Sequence, residues 1–86
     1  MAKIKLLYFA WVRERVGRAE ETIDVPDTVR TVADLLAWLR ERAPEYDNAF
    51  EQAATIRAAI DQQHVKSDAA IAGAREIAFF PPVTGG

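Results

Sequence analysis

One apolar stripe constrains this sequence more than any other feature. Val32, Leu35, Leu36 and Leu39 fall at i, i+3, i+4 and i+7, the spacing that lines up side chains along one face of a helix. Thr31 stands where an N-cap is needed, and Asp34 falls in the first turn, where a carboxylate meets the positive end of the helix dipole. Arg40, Glu41 and Arg42 then lead to Pro44, which is expected to end the helix. A lone amphipathic helix cannot shield its own stripe. It must lie on a second layer, and the remaining residues supply strands to build one.

Residues 3–10 alternate Ile4, Leu6 and Tyr8 on one face with Lys3, Lys5, Leu7 and Phe9 on the other, the pattern of a strand. The first face suits a core; the second begins charged and ends apolar. Residues 11–16 can make a helical turn stopped by Gly17. Residues 21–25 favour a second strand, closed by Pro26. Residues 45–55 are ambiguous, with enough alanine for a short helix. Residues 56–60 read as a strand, Asp61 and Gln62 as a turn, His64 and Val65 as a short edge strand, and Gly73 as another turn. The last strand, residues 76–80, sets Ile77 and Phe79 on one face and Ala78 and Phe80 on the other. The predicted class is α+β: a small mixed sheet curved around one main helix, with the first and last strands parallel in its middle.

At 86 residues the chain has room for one domain and one modest core. Its net charge is −2, and the 11 basic residues form no stripe, so a nucleic-acid partner is not expected. No apolar run approaches the roughly 20 residues of a membrane span. The start has no signal-peptide pattern, and a cytoplasmic location is expected. The absence of cysteine removes disulfides, thiolate metal ligands and a thiol nucleophile. His64, the single histidine, has no ligand or nucleophile companion and reads as a surface residue; no metal site is expected. Asp24, Asp27 and Asp34 bracket turns and a cap, where hydrogen bonding to the backbone explains them. Trp38 flanks the helical stripe as packing.

The sequence finishes Phe79-Phe80-Pro81-Pro82-Val83-Thr84-Gly85-Gly86. Residues 1–80 are read as the domain and residues 81–86 as a flexible tail. Pro81 and Pro82 stiffen its root, since each fixes φ and lacks an N–H. Gly85 and Gly86 leave the terminal carboxyl uncrowded, so it can thread a narrow channel and be activated there as an acyl group. The six tail residues can extend about 20 Å. Leu7, Phe9 and Phe80 are candidates for an apolar partner surface at the tail's root, with Arg13 as a possible ionic contact.

Two motifs at opposite ends of the chain carry a family resemblance. The tail as a whole, and the segment Phe9-Ala10-Trp11-Val12-Arg13-Glu14-Arg15-Val16-Gly17, resemble the small subunits of molybdopterin synthase, the MoaD family. The turn Gly73-Ala74-Arg75-Glu76 departs from the acidic turn common there. The resemblance implies a ubiquitin-like β-grasp fold and a sulfur carrier with no catalytic centre and no bound cofactor of its own. It implies that an ATP-dependent adenylating enzyme activates the Gly86 carboxylate. A sulfur donor then converts the acyl adenylate to a thiocarboxylate. The tail, with Pro81, Pro82, Val83, Thr84 and Gly85, enters the large synthase subunit, where the sulfur passes to cyclic pyranopterin monophosphate. Two small and two large subunits form the assembly that the resemblance implies. Thiamine or tRNA thiolation, or a ubiquitin-like modifier or interaction role, are the alternatives.

Overall fold

A computed structural model of the protein describes residues 2–82. In chain order the elements are β1 (Ala2–Tyr8), α1 (Ala10–Val16), β2 (Glu20–Val25), α2 (Val32–Arg40), α3 (Pro44–Ala49), a 3₁₀ turn (Ala53–Thr55), β3 (Arg57–Ile60), β4 (Gln63–Val65) and β5 (Glu76–Phe80). The strands form one sheet ordered β2-β1-β5-β3-β4. β1 and β5 are parallel at its centre, while the other three pairings are antiparallel. The mixed sheet and the parallel central pair are those expected from the order of strands around one main helix.

The stripe on α2 is buried, with Val32, Leu35, Leu36 and Leu39 in one cluster with Ile4, Leu6 and Tyr8 of β1 and Ile77 and Phe79 of β5. Phe50 fills the gap at the sheet's end, with its ring edge-on to Phe79 at 5.4 Å and tilted to Tyr8 at 6.3 Å. Such aromatic pairs add roughly 0.5–1.5 kcal/mol beyond burial of their area.

The start of α2 is capped twice over. The Asp34 amide donates to Thr31 Oγ1 at 3.1 Å, and the Thr31 amide donates to Asp34 Oδ2 at 3.3 Å, a reciprocal capping box. The Val32 and Ala33 amides reach the carbonyls of Ala69 and Ser67 at 3.1 and 2.8 Å. The first turn therefore has its orphan donors satisfied, and the loop before β5 is tied to the helix at the same point.

Pro44 does not end α2 as expected. The helix stops at Arg40, and the Glu41 and Arg42 amides close it on the carbonyls of Trp38 and Leu39 at 3.2 and 3.0 Å. Pro44 instead opens α3, at a position where the missing N–H has no partner to lose. The first strand is also shorter than predicted. It stops at Tyr8, Phe9 becomes the N-cap of α1, and Ala10 takes φ 53°. A left-handed alanine costs roughly 1–2 kcal/mol, and here it turns the chain out of the sheet. Gly17 closes α1 at φ 89° as expected.

Asp61 and Gln62, at φ 48° and 74°, form the two-residue turn between β3 and β4. Asp61 Oδ1 accepts from the Arg75 and Glu76 amides at 3.1 and 2.9 Å, fastening that turn to the start of β5.

Leu36 is 2% exposed, so Leu36→Ala is expected to cost about 2–5 kcal/mol in chemical denaturation, with the folded spectrum retained. A near-neutral result would remove α2 from the core.

Candidate functional site

Strand register places the outward side chains of the sheet in rows. One row runs Glu20, Leu7, Ala78, Ala59, His64 across all five strands. Beyond it, towards the end of β5, Phe80 lies opposite Arg57. Phe9 is 48% exposed, and its amide donates to the Phe79 carbonyl at 3.1 Å, which holds it beside the end of β5. Leu7, Phe9 and Phe80 are thus brought to one pole of the sheet, on the face away from α2. Phe9 reaches it as a helix cap and not as a strand residue. Arg13 sits one turn into α1, exposed, with its amide 3.3 Å from the Phe9 carbonyl.

The two alanines in the row matter. Ala59 supplies only a methyl group between β5 and β4, so the His64 and Phe80 rings meet across it, edge to face at 5.2 Å. Ala59 is buried yet lies outside the core cluster, as expected for a side chain on the outward face. At the other end the same face is charged, where Lys5 Nζ lies 3.0 Å from Glu20 and Lys3 pairs in register with Asp24. The hydrogen bond and charge of Glu20 raise the Lys5 pKa. The face is therefore apolar at one pole and ionic at the other.

Pro81 and Pro82 follow Phe80 directly and are half-buried. Val83, Thr84, Gly85 and Gly86 lie outside the described residues. Trp11 is half-buried against the core, and the Arg15 guanidinium lies 4.5 Å over its ring. Trp38 packs likewise against the core, under Arg42. Among the described residues, no His, Cys, Asp and Glu cluster could hold a metal ion, and no helix is long and apolar enough to cross a membrane. An apolar hollow of about 430 Å³, lined by Ile4, Val25, Val29 and Ile71, lies at the start of β1, away from the end of β5.

A polar cluster escapes the sequence reading. Glu21 Oε2 accepts from the Tyr8 hydroxyl at 2.7 Å and from the Tyr46 hydroxyl at 2.5 Å, while Arg18 donates to Oε1 at 3.1 Å. The parity of β2 could have revealed it, because Glu21 shares the inward face with the buried Ile23 and Val25. The cluster ties β1, β2 and α3 together next to α1. Burial and the hydrogen bond to Glu21 hold the Tyr8 hydroxyl well above its ordinary pKa, and the same causes push Tyr46 up to about 12.

The chain has only two tyrosines, both in this cluster, so its tyrosinate absorbance reports on the cluster alone. A raised pKa favours the neutral phenol in the fold. The associated stability is complete below about pH 10, the unfolded value, and is lost as pH rises through the folded values. Tyrosinate absorbance in the native protein is expected to appear only well above pH 10; ionisation centred near 10 would break the cluster.

Comparison with known proteins matches the ThiS family over residues 6–86. The molybdopterin synthase sulfur carrier subunit of Escherichia coli (strain K12) is 37% identical over 83 residues, spanning 96% of this chain and 99% of that protein. The subunit of the same name from Chlamydomonas reinhardtii is 35% identical over 86 residues, spanning 98% and 99%. Among solved structures, the SAMP1 crystal structure from Haloferax volcanii superposes with a TM-score of 0.72 at 28% identity, covering 99% of this chain and 100% of that one.

Proposed function

This chain belongs to the ThiS family, and on that premise we propose that it is the sulfur carrier subunit of a molybdopterin synthase. Its fold is the ubiquitin-like β-grasp of its structural neighbours. The observation that carries the reading is where β5 ends, at Phe80. The run Pro81-Pro82-Val83-Thr84-Gly85-Gly86 continues from Phe80, the last residue of a strand paired on both sides, with the apolar pole around its root.

In this reading the Gly86 carboxylate attacks the α-phosphorus of ATP in an adenylating enzyme, releasing pyrophosphate. A sulfur nucleophile from a donor then adds to the acyl carbon. The C–S bond forms, the C–O bond to AMP breaks, and AMP leaves with the electron pair. Glycine has no Cβ to crowd that carbon. The thiocarboxylate is carried into the large synthase subunit and gives its sulfur to cyclic pyranopterin monophosphate. ATP belongs to the activating enzyme, and this chain holds no cofactor. The body, residues 1–80, stays outside while residues 81–86 enter. Pro81 and Pro82 lower the entropy lost on insertion. Leu7, Phe9 and Phe80 dock on the large subunit, with Arg13 at the margin, in a cytoplasmic heterotetramer.

A protein-modifier role is the second reading, favoured by the likeness to SAMP1. Incubation with an adenylating enzyme, ATP and a sulfur donor separates the two by intact mass. The carrier gains the difference between one sulfur and one oxygen; a modifier gains a whole polypeptide. Deleting Gly86 is expected to abolish the gain while leaving the melting temperature unchanged. A mass gain without Gly86 would move the chemistry elsewhere.

Phe80→Asp is expected to weaken large-subunit binding at least tenfold, with the body still folded, because the ring is half-buried at the tail's root. Unchanged affinity would take this pole out of the interface.

A further inference from the structure

The open edge of the sheet beside the tail carries charge that the fold does not use. Arg57 is exposed, and its register partner is Phe80. His64 is exposed on β4 with its ring against Phe80. Ala58 pairs with Val65, so continuing the register by one step sets exposed Lys66 beside Arg57. Neither Arg57 nor Lys66 has an ion-pair partner among the described residues. The neighbouring acids do not neutralise this edge. Asp61 is turned to the Arg75 and Glu76 amides at the far end of β3, and Asp68 makes no ion pair with Lys66.

This grouping runs against composition, since the whole chain has a net charge of −2. Three exposed cations elsewhere are matched, and what sets the edge apart is that its free cations stand side by side next to Phe80. Lys5 meets Glu20, Arg18 meets Glu21, and Arg40 meets Asp47. At the β3–β4 edge two cations and an imidazole stand unmatched around the aromatic ring from which the tail departs.

We propose that Arg57 and Lys66, beside the His64 ring, form a cationic rim on the docking surface, and that the tail-accepting large subunit presents carboxylates opposite them. The proposal rests on the sulfur-carrier reading and adds the chemistry of the partner's surface. Rim charges around an apolar centre act mainly on encounter rate and orientation, and salt screens them. Here they would steer the body so that Phe80 seats and residues 81–86 face the channel.

The test uses the full chain and the large subunit of molybdopterin synthase from the same organism. Association and dissociation rates are measured for the wild type, for Arg57→Glu/Lys66→Glu, and for Lys3→Glu as a control at the far pole. The double reversal is expected to slow association about tenfold at low ionic strength and much less at high salt, with little change in dissociation. Lys3→Glu is expected to leave both rates unchanged, and melting temperatures show that each variant is folded. Equal association rates for wild type and double reversal, or a loss that high salt does not diminish, would overturn the rim. Thiocarboxylate formation by the wild type is followed in parallel by mass. Its absence would count against the carrier reading, whereas its presence with unchanged association rates would count against the rim alone.

Discussion

Parallel pairing of the first strand with the last is the constraint on which the rest depends. It places β5 at the centre of the sheet, between β1 and β3, with Ile77 and Phe79 fully buried beneath it. A parallel pair needs a long crossover, and that crossover holds β2 and all the helices. The stripe on α2 then has one place to go. Its burial fixes the inward parity of both central strands, and parity in turn fixes Leu7, Ala78 and Phe80 on the opposite face. The candidate docking surface is the reverse side of the core, specified by the same alternation.

Much of this was legible because the signals are local and periodic. The α2 stripe, the Thr31 and Asp34 cap, the Gly17 stop and the Asp61–Gln62 turn each follow from a few adjacent residues. What was missed depends on partners distant in sequence. Glu21 looks like an ordinary strand carboxylate until Tyr8 and Tyr46 are brought over it from β1 and α3. Pro44 reads equally as a stop or a start, and the spacing to α3 decides it. The break after Tyr8 needs a left-handed alanine, which no propensity favours. The tail chemistry was read from residues 79–86 and a resemblance, with Val83 to Gly86 beyond the described residues.

The outward face shows how one sheet can serve two purposes. At one pole Lys5 and Glu20 form an ion pair, and Lys3 faces Asp24 in register, so that end carries charge and stays hydrated. At the other pole, the small side chain of Ala59 on β3 lets the His64 ring of the edge strand meet the Phe80 ring of β5. Apolar surface is thus gathered beside the tail and kept from spreading over a face that the helices do not cover.

The strand from which the tail emerges also governs how the body responds when that tail is gripped. β5 is hydrogen-bonded along both edges, and Pro81 follows its last residue directly. Tension applied from the carboxyl end would load the two ladders in shear, stretching many bonds together. A tail hung from an outer strand would be peeled one bond at a time. A body hung from such a strand resists unravelling when its end is pulled.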